Sequence, residues 1–267
     1  MSAESNPTPV VYLMYHELER PERALCDADP GYVRYIVHET QFREQMNWLK
    51  SQGWKGQSVE QALSGAAPRG VVITFDDGAE TDLIAAAPIL KDLDFGATFY
   101  ITTGFLGKRG YLSRTQVREL SELGFNIGCH SRTHPYLSDL AEEQLQSEIL
   151  EPKIQIEQMI GRAVNHFSCP GGRWDARVVQ ATKQAAYRSM ATSEARANCA
   201  SSDPFCLGRV AIMRDTPLPL FQTWCAGHGL WKLQMAEQAR SGAKRILGNR
   251  GYDRLRAMLL GRKESKE

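Results

Sequence analysis

The sequence predicts an α/β protein whose parallel strands close, or nearly close, into a barrel. Three observations carry this expectation. Short apolar runs rich in β-branched and aromatic residues alternate with helical patterns along the chain, the rhythm of strand–helix–strand units. Ionisable residues follow several of those runs at once, most plainly Asp76-Asp77 after Val71-Val72-Ile73-Thr74-Phe75. No GxGxxG follows the first strand, which argues against an open dinucleotide-binding sheet.

Taken in order, Val10 to Tyr15 reads as a strand that runs into His16-Glu17. Residues 19–40 hold Pro21, Pro30 and Gly31 among several charges, without a clear period, and are expected to form a long loop. Phe42, Met46 and Leu49 recur at helical spacing, and Gly53 ends that helix. Ser58-Val59-Glu60-Gln61 is a capping-box pattern. Gly70 to Phe75 is a buried strand, and a buried strand cannot carry Asp-Asp in its middle without a large desolvation cost. Asp76 and Asp77 therefore belong where the strand ends, with Gly78 permitting the turn.

A helix is expected over 79–93 and a strand over 96–102. Ser113 to Gln116 is a second capping box, opening a helix to about Leu123. Asn126 to Cys129 is a brief strand leading into His130. Asp139 to Glu142 is expected to cap a long helix ending near Gly161. His166 to Cys169 reads as a strand closed by Pro170-Gly171-Gly172, residues 175–186 as a helix, and 188–192 and 207–212 as further strands.

The composition changes from about Leu230. Residues 228–263 carry an excess of Lys and Arg over two acids, Glu237 and Asp253. Tyr252, Leu255, Met258 and Leu259 make an apolar stripe at helical spacing, and Gly248 and Gly251 split the segment into two helices. The organisation read from the sequence is an α/β domain over 8–228 and a basic helical tail over 229–267. That tail either packs on the barrel or rests on an anionic membrane surface.

Bulk properties narrow the classes. A chain of 267 residues, 42% hydrophobic and 24% charged, suits one large domain or two small ones. A net charge of +1 provides no global basic field for nucleic acid. No apolar run approaches the ~18 residues of a membrane span. Met1 to Pro9 is polar and lacks a basic leader region, so cytoplasmic residence is the expectation, with peripheral membrane contact through the tail. The six cysteines include no CxxC, which argues against a cysteine zinc site; Cys199 and Cys206 would pair only in an oxidising compartment.

The chemistry gathers at strand ends. His130 and His134 are four apart, but Pro135 disfavours a helix there, which leaves a turn just past a strand. Asp76-Asp77, His130, His134, His16 and the Pro170 turn all follow strands, and in a parallel barrel those ends face one side. Two imidazoles and one carboxylate make a three-ligand metal site with positions left for water, and the second acid is free to act as a base. Such a site suits metal-assisted hydrolysis of an amide or ester.

Thr74-Phe75-Asp76-Asp77-Gly78 followed by His130-Ser131-Arg132-Thr133-His134 resembles the motifs of the polysaccharide deacetylases of the NodB-homology group, carbohydrate esterase family 4. The resemblance spans roughly residues 8–215. It implies a distorted (β/α)7-type, NodB-like barrel that removes acetyl groups from N-acetylated sugars of a polysaccharide or glycan precursor. Position by position, it makes Asp77, His130 and His134 ligands of one divalent metal ion, zinc first, with cobalt, nickel, iron or manganese as alternatives. It makes Asp76 the general base. The turn carrying Pro170, Gly171, Arg173 and Trp174 matches the family's substrate-binding motif but lacks its leading arginine, which leaves Arg173 or Arg209 to orient Asp76.

The family's late Leu-x-His motif, source of the general acid, has no match after residue 215. Tyr15-His16 is similar to the early Tyr-His pair of members acting on poly-N-acetylglucosamine, which makes His16 the expected acid and His228 the next candidate. Trp174, Tyr136 and Phe105 are candidates for a sugar-stacking wall. The expected partner is an N-acetylated glycan, and an intracellular lipid-linked or nucleotide-linked precursor fits the expected compartment. Two further readings keep part of this picture: a non-sugar amide hydrolase on the same metal, and a carbohydrate-binding pseudoenzyme. The second requires a lost ligand or base, and none is lost.

Overall fold

Every residue of Val11–Tyr15 and of Gly70–Phe75 is buried, as strands covered on both faces must be. A computed structural model describes residues 9–65 and 67–236; most of the basic tail, with its expected stripe, lies outside the described residues. The strands are β1 (Val11–Tyr15), β2 (Leu18–Glu19), β3 (Val37–His38), β4 (Lys55–Gln57) and β5 (Gly70–Phe75), then β6 (Thr98–Ile101), β7 (Asn126–Cys129), β8 (His166–Ser168), β9 (Ser189–Ala191) and β10 (Val210–Ala211). The α-helices are α1 (Pro30–Val33), α2 (Glu39–Ser51), α3 (Val59–Gly65), α4 (Ala87–Asp92), α5 (Arg114–Glu122), α6 (Glu142–Ile160), α7 (Ala176–Gln184) and α8 (Leu218–Cys225).

The main sheet is parallel and runs β10-β1-β5-β6-β7-β8-β9, with β4 paired to the first residues of β5. It curls into a distorted, incompletely closed barrel. Its edges approach through one short segment: Leu207 bridges Ala191 of β9, and Val210 pairs with Leu13 of β1. The register sets the site. Tyr15 lies opposite Phe75, so β1 and β5 end level, and the Asp76 N–H donates to the Tyr15 carbonyl at 3.0 Å. His16 and Asp76 thus leave neighbouring strands at the same height.

A ladder of aromatic rings fills the space between sheet and α2. Tyr15 meets Phe42 at 5.1 Å and Phe75 at 5.3 Å, Phe75 meets Phe99 at 5.1 Å, and Phe99 meets Phe125 at 5.3 Å. These side chains are buried and make contacts worth more than area alone.

Several expectations change in detail. The long 19–40 loop contains α1, capped by the Asp29 carboxylate, and a small ribbon in which β2 pairs with β3. The helix expected over 79–93 begins later, because Ala79 is used in an antiparallel bridge to Tyr111. Its first turn is wide, and Pro88 lacks the N–H that would close it; the Ile84 carbonyl instead accepts from Arg20 at 3.2 Å. The boxes at Ser58–Gln61 and Ser113–Gln116 form as reciprocal side-chain caps. Asp139 does not cap the long helix: α6 starts at Glu142, and Asp139 faces Arg173. The strand expected over 207–212 is interrupted at Gly208-Arg209, leaving only Val210–Ala211 paired to β1. All six cysteines are free, and no helix among the described residues is long and apolar enough to cross a membrane.

Candidate active site

The site begins where β5 stops. Asp77 takes a left-handed backbone, φ 76°, and so does Gly78, φ 81°; a Cβ on Gly78 would stand 3.2 Å from the Ile101 side chain. The chain therefore swings out of the strand between Asp76 and Gly78, and the two adjacent carboxylates acquire different surroundings. A left-handed aspartate is uncommon and persists only where the surroundings hold it.

The histidine motif is built the same way. The His130 N–H continues the ladder to the Ile101 carbonyl at 2.9 Å. Ser131 and His134 then take left-handed backbones, both at φ 65°. Ser131 Oγ accepts the His134 N–H at 3.0 Å and closes the turn. Buried Glu148 of α6 grips it from behind: its carboxylate accepts the Arg132 N–H at 3.0 Å, the Thr133 N–H at 2.8 Å and the Thr133 hydroxyl at 2.7 Å.

These turns bring three donor groups together. Asp77 Oδ1 lies 3.5 Å from His130 Nε2 and 3.4 Å from His134 Nε2. That oxygen is buried and has no hydrogen-bond partner. His130 Nδ1 sits 2.8 Å from the Ser168 carbonyl, so Nδ1 carries the proton and Nε2 turns its lone pair toward the space it shares with Asp77 Oδ1. An orphaned carboxylate oxygen between two imidazole nitrogens is a donor set that fits a divalent cation. Burial pulls the His130 imidazole down to about 4, against the raising charge of Asp76, which keeps it neutral and ligand-ready near pH 7.

Asp76 belongs to a different network. Arg209 is fully buried and spans it: Nη1 donates to Asp76 Oδ1 at 2.7 Å and to Thr74 Oγ1 at 3.2 Å, and Nη2 donates to Asp76 Oδ2 at 2.8 Å and to Ser168 Oγ at 2.7 Å. Nε donates to the Thr192 carbonyl at 2.9 Å. Ser168 Oγ in turn donates to Asp76 Oδ2 at 3.2 Å. Burial pushes the Asp76 carboxyl up, but the opposing charge and hydrogen bonds of Arg209 hold it well below the usual carboxylate range. Of the two candidate arginines, Arg209 is the one bonded to Asp76. Arg173 stacks on Tyr136, 3.6 Å from the ring centre, and faces Asp139.

His16 is half-buried, and its Nδ1 is enclosed without a partner. Burial lowers its pKa, while Asp77 and Asp76 pull it the other way; the imidazole lies within the field of both acids. Pro170 and Gly171 lie one residue past β8, after Cys169, and a Cβ on Gly171 would stand 2.6 Å from the Tyr136 ring. Trp174 packs against the core, whereas Phe105 lies 6.0 Å from the His134 ring. Sequence reasoning missed Ser168 and Glu148. The signal for Glu148 was available: it shares a helical face with Leu145, Ile149 and Pro152, all buried.

Residues 64–190 match the family model described as polysaccharide deacetylase. Over that stretch, a little under half of its length, the chain is similar to the polysaccharide deacetylases. Among deacetylase-family relatives, YxkH of Bacillus subtilis (strain 168) is 26% identical over 212 residues, 77% of this chain and 72% of its own length. The poly-beta-1,6-N-acetyl-D-glucosamine N-deacetylase of Staphylococcus aureus (strain MSSA476) is 24% identical over 213 residues, 73% of each chain. Among solved structures, the Streptococcus pyogenes deacetylase PplD in complex with acetate superposes with a TM-score of 0.72 at 24% identity, covering 81% of this chain and 98% of that one. IcaB from Ammonifex degensii gives 0.70 at 20% identity, covering 82% and 97%. Identities this low establish the shared deacetylase fold.

Two outcomes follow for this site. His134→Ala should fold but lose most of its divalent metal under conditions that saturate the wild type; full metal content in that variant would remove His134 from the ligand set. The second concerns pH. His130 and His166 are buried, with pKa values lowered from the ordinary histidine range, so as pH falls below ~6.5 the unfolded chain binds protons that the folded chain does not, down to about 4 for His130. Their contribution to stability is complete above ~6.5 and is lost as pH falls. The melting temperature of metal-stripped protein should drop between pH 7 and 5, and an unchanged value across that range would contradict the assignment.

Proposed function

We propose that the protein is a metal-dependent N-deacetylase of N-acetylated glycans, with Asp77, His130 and His134 holding one divalent ion, zinc in the first instance. The observation that carries this reading is the pair of adjacent aspartates in opposed roles. Asp77 offers a free buried oxygen to two imidazole nitrogens, while Asp76 has both oxygens fixed by Arg209 and Ser168. The match to the polysaccharide deacetylase model and the S. aureus relative, named as a deacetylase of poly-beta-1,6-N-acetyl-D-glucosamine, support a sugar amide as substrate.

When bound, the ion supplies a Lewis acid for the acetyl carbonyl and acidifies a water molecule. The chain's own residues do the rest. Asp76 is held ionised, so it accepts the proton of the attacking water. Arg209 keeps both Asp76 oxygens in place and supplies the opposing charge that burial would otherwise make untenable. The sugar amine leaves poorly unless protonated, so an acid is needed across the site from Asp76. His16 is the candidate for that role: it leaves β1 level with the end of β5, and the imidazole lies within the field of both aspartates. The Pro170–Arg173 turn, anchored beside Ser168, forms the neighbouring wall for the sugar.

The test is acetate release from a panel of N-acetylated oligosaccharides by metal-loaded protein, with His16→Ala alongside. That variant should keep its metal and lose turnover by about 10²–10⁴-fold on the amide, the usual worth of a general acid. It should lose less on an acetyl ester, whose alkoxide departs more easily than an amine. Equal losses on both would assign His16 a positioning role, and an undiminished amide rate would exclude it as the acid. No acetate from any glycan by metal-loaded wild type would overturn the deacetylase reading.

A further inference from the structure

The two histidines of the candidate metal site are held in different ways. His130 is buried and fixed through its ring, whose Nδ1 meets the Ser168 carbonyl at 2.8 Å. His134 is fixed through its backbone: its N–H donates to Ser131 Oγ at 3.0 Å, while 32% of its side chain is exposed. The place of His134 Nε2 therefore depends on the turn that carries it. That turn is left-handed at both Ser131 and His134. Such a backbone is uncommon in residues other than glycine and persists only where the surroundings hold it.

Support comes from two sides. On one, the Gly104 N–H donates to the Arg132 carbonyl at 2.7 Å and the Thr103 N–H to the Ser131 carbonyl at 3.3 Å. On the other stands Glu148, which is buried. A single oxygen, Oε2, accepts both the Arg132 N–H at 3.0 Å and the Thr133 N–H at 2.8 Å, and Oε1 accepts the Thr133 hydroxyl at 2.7 Å. These bonds cover the two residues between Ser131 and His134, so one side chain spans the turn. Glu148 is itself anchored where the helix ladder is interrupted. Pro152 has no N–H to give the Glu148 carbonyl, and the Tyr187 hydroxyl donates to the next carbonyl, that of Ile149, at 3.0 Å. The charge of the carboxylate is met nearby: Arg132 Nε lies 3.5 Å from Glu148 Oε1, and Arg132 Nη1 lies 2.9 Å from Glu151 Oε2.

We infer that Glu148 is a positioning residue for the metal ligand His134, and that it acts through where its oxygens stand rather than through its charge. This rests on the metal-site reading proposed above and deepens it. Two backbone N–H groups converge on one oxygen, a demand that an amide carbonyl at the same place meets equally well. A glutamine NH2 group can in turn donate to Thr133 Oγ1, which as a hydroxyl oxygen also accepts. Position and charge are therefore separable by substitution. A residue that fixes a ligand from behind contributes about 10- to 100-fold to metal affinity.

The test measures zinc affinity of the full chain by chelator competition. Co²⁺ absorption spectra read the ligand set, and circular dichroism of metal-stripped protein controls for folding. Glu148→Asp keeps the charge but withdraws the oxygens by one methylene. It should weaken zinc binding by about 10- to 100-fold and change the visible Co²⁺ bands. Glu148→Gln keeps the position and removes the charge. It should stay within about threefold of the wild type, well inside that range, with unchanged bands. Should Glu148→Asp not fold, Glu148→Ala takes its place in the comparison with Glu148→Gln. A weak Glu148→Gln beside an unaffected Glu148→Asp would assign the effect to charge and overturn the positioning role. Wild-type affinity in every variant, or equal losses in all of them, would overturn it as well. In each of those cases the wild type still binds metal, so the site stands and only this role is removed. A wild-type chain that binds neither ion would overturn the metal site itself.

Discussion

A guanidinium with no solvent contact can exist only if its donors find acceptors and its charge finds a partner, and Arg209 meets both conditions through the ends of several strands. It reaches Thr74 and Asp76 at the end of β5, Ser168 at the end of β8 and the Thr192 carbonyl just beyond β9. Its own backbone lies between the bridge at Leu207 and the pairing at Val210, where the curled sheet comes nearest to closing. The ion pair with Asp76 is therefore also the seam of the barrel. Removing one member of such a buried pair leaves the other uncompensated, typically a loss of about 3–5 kcal/mol. The position of the base and the integrity of the fold are tied to one interaction.

That seam explains why β10 is so short. Gly208 sits where a Cβ would stand 2.7 Å from the Glu194 carbonyl, and Asn198 clamps it by donating to its carbonyl at 2.8 Å and accepting its N–H at 2.9 Å. Breaking the strand at this point turns Arg209 inward. Backbone strain recurs at the other functional positions: Asp77, Ser131 and His134 are left-handed without being glycine. Ladder hydrogen bonds, the Ser131 cap and the Glu148 clamp hold them there, so the geometry of the site is fixed by the sheet and α6 rather than by the side chains alone.

Much of this was legible in the sequence because strand ends are where periodicity and polarity collide. Asp76-Asp77 after five apolar-patterned residues, and His130 after Asn126–Cys129, could only lie at the mouth of a parallel sheet. The capping boxes at Ser58 and Ser113 were equally readable, since they depend on residues three apart. What escaped depends on contacts distant in sequence. Arg209 and Arg173 were indistinguishable until Arg209 proved to reach Asp76 across 133 positions. Ser168 looked like one more residue before a proline turn, and Glu148 like an ordinary helix acid, because hydrogen bonds to remote loops leave no local pattern. Asp139 looked like a cap because spacing cannot tell a helix's first residue from the short turn preceding it.

The division of labour between the two adjacent aspartates is the centre of this account, and Asp76→Asn separates them. The amide keeps the shape of the side chain and removes the charge that would accept a proton. Metal content and acetate release are measured together on the same preparation, with circular dichroism to establish the fold. The account predicts a folded protein with wild-type metal content whose release of acetate from an N-acetylated oligosaccharide falls by about 10²–10⁴-fold, the usual worth of a general base. Loss of the metal in a folded Asp76→Asn protein, or turnover close to wild type, would contradict it.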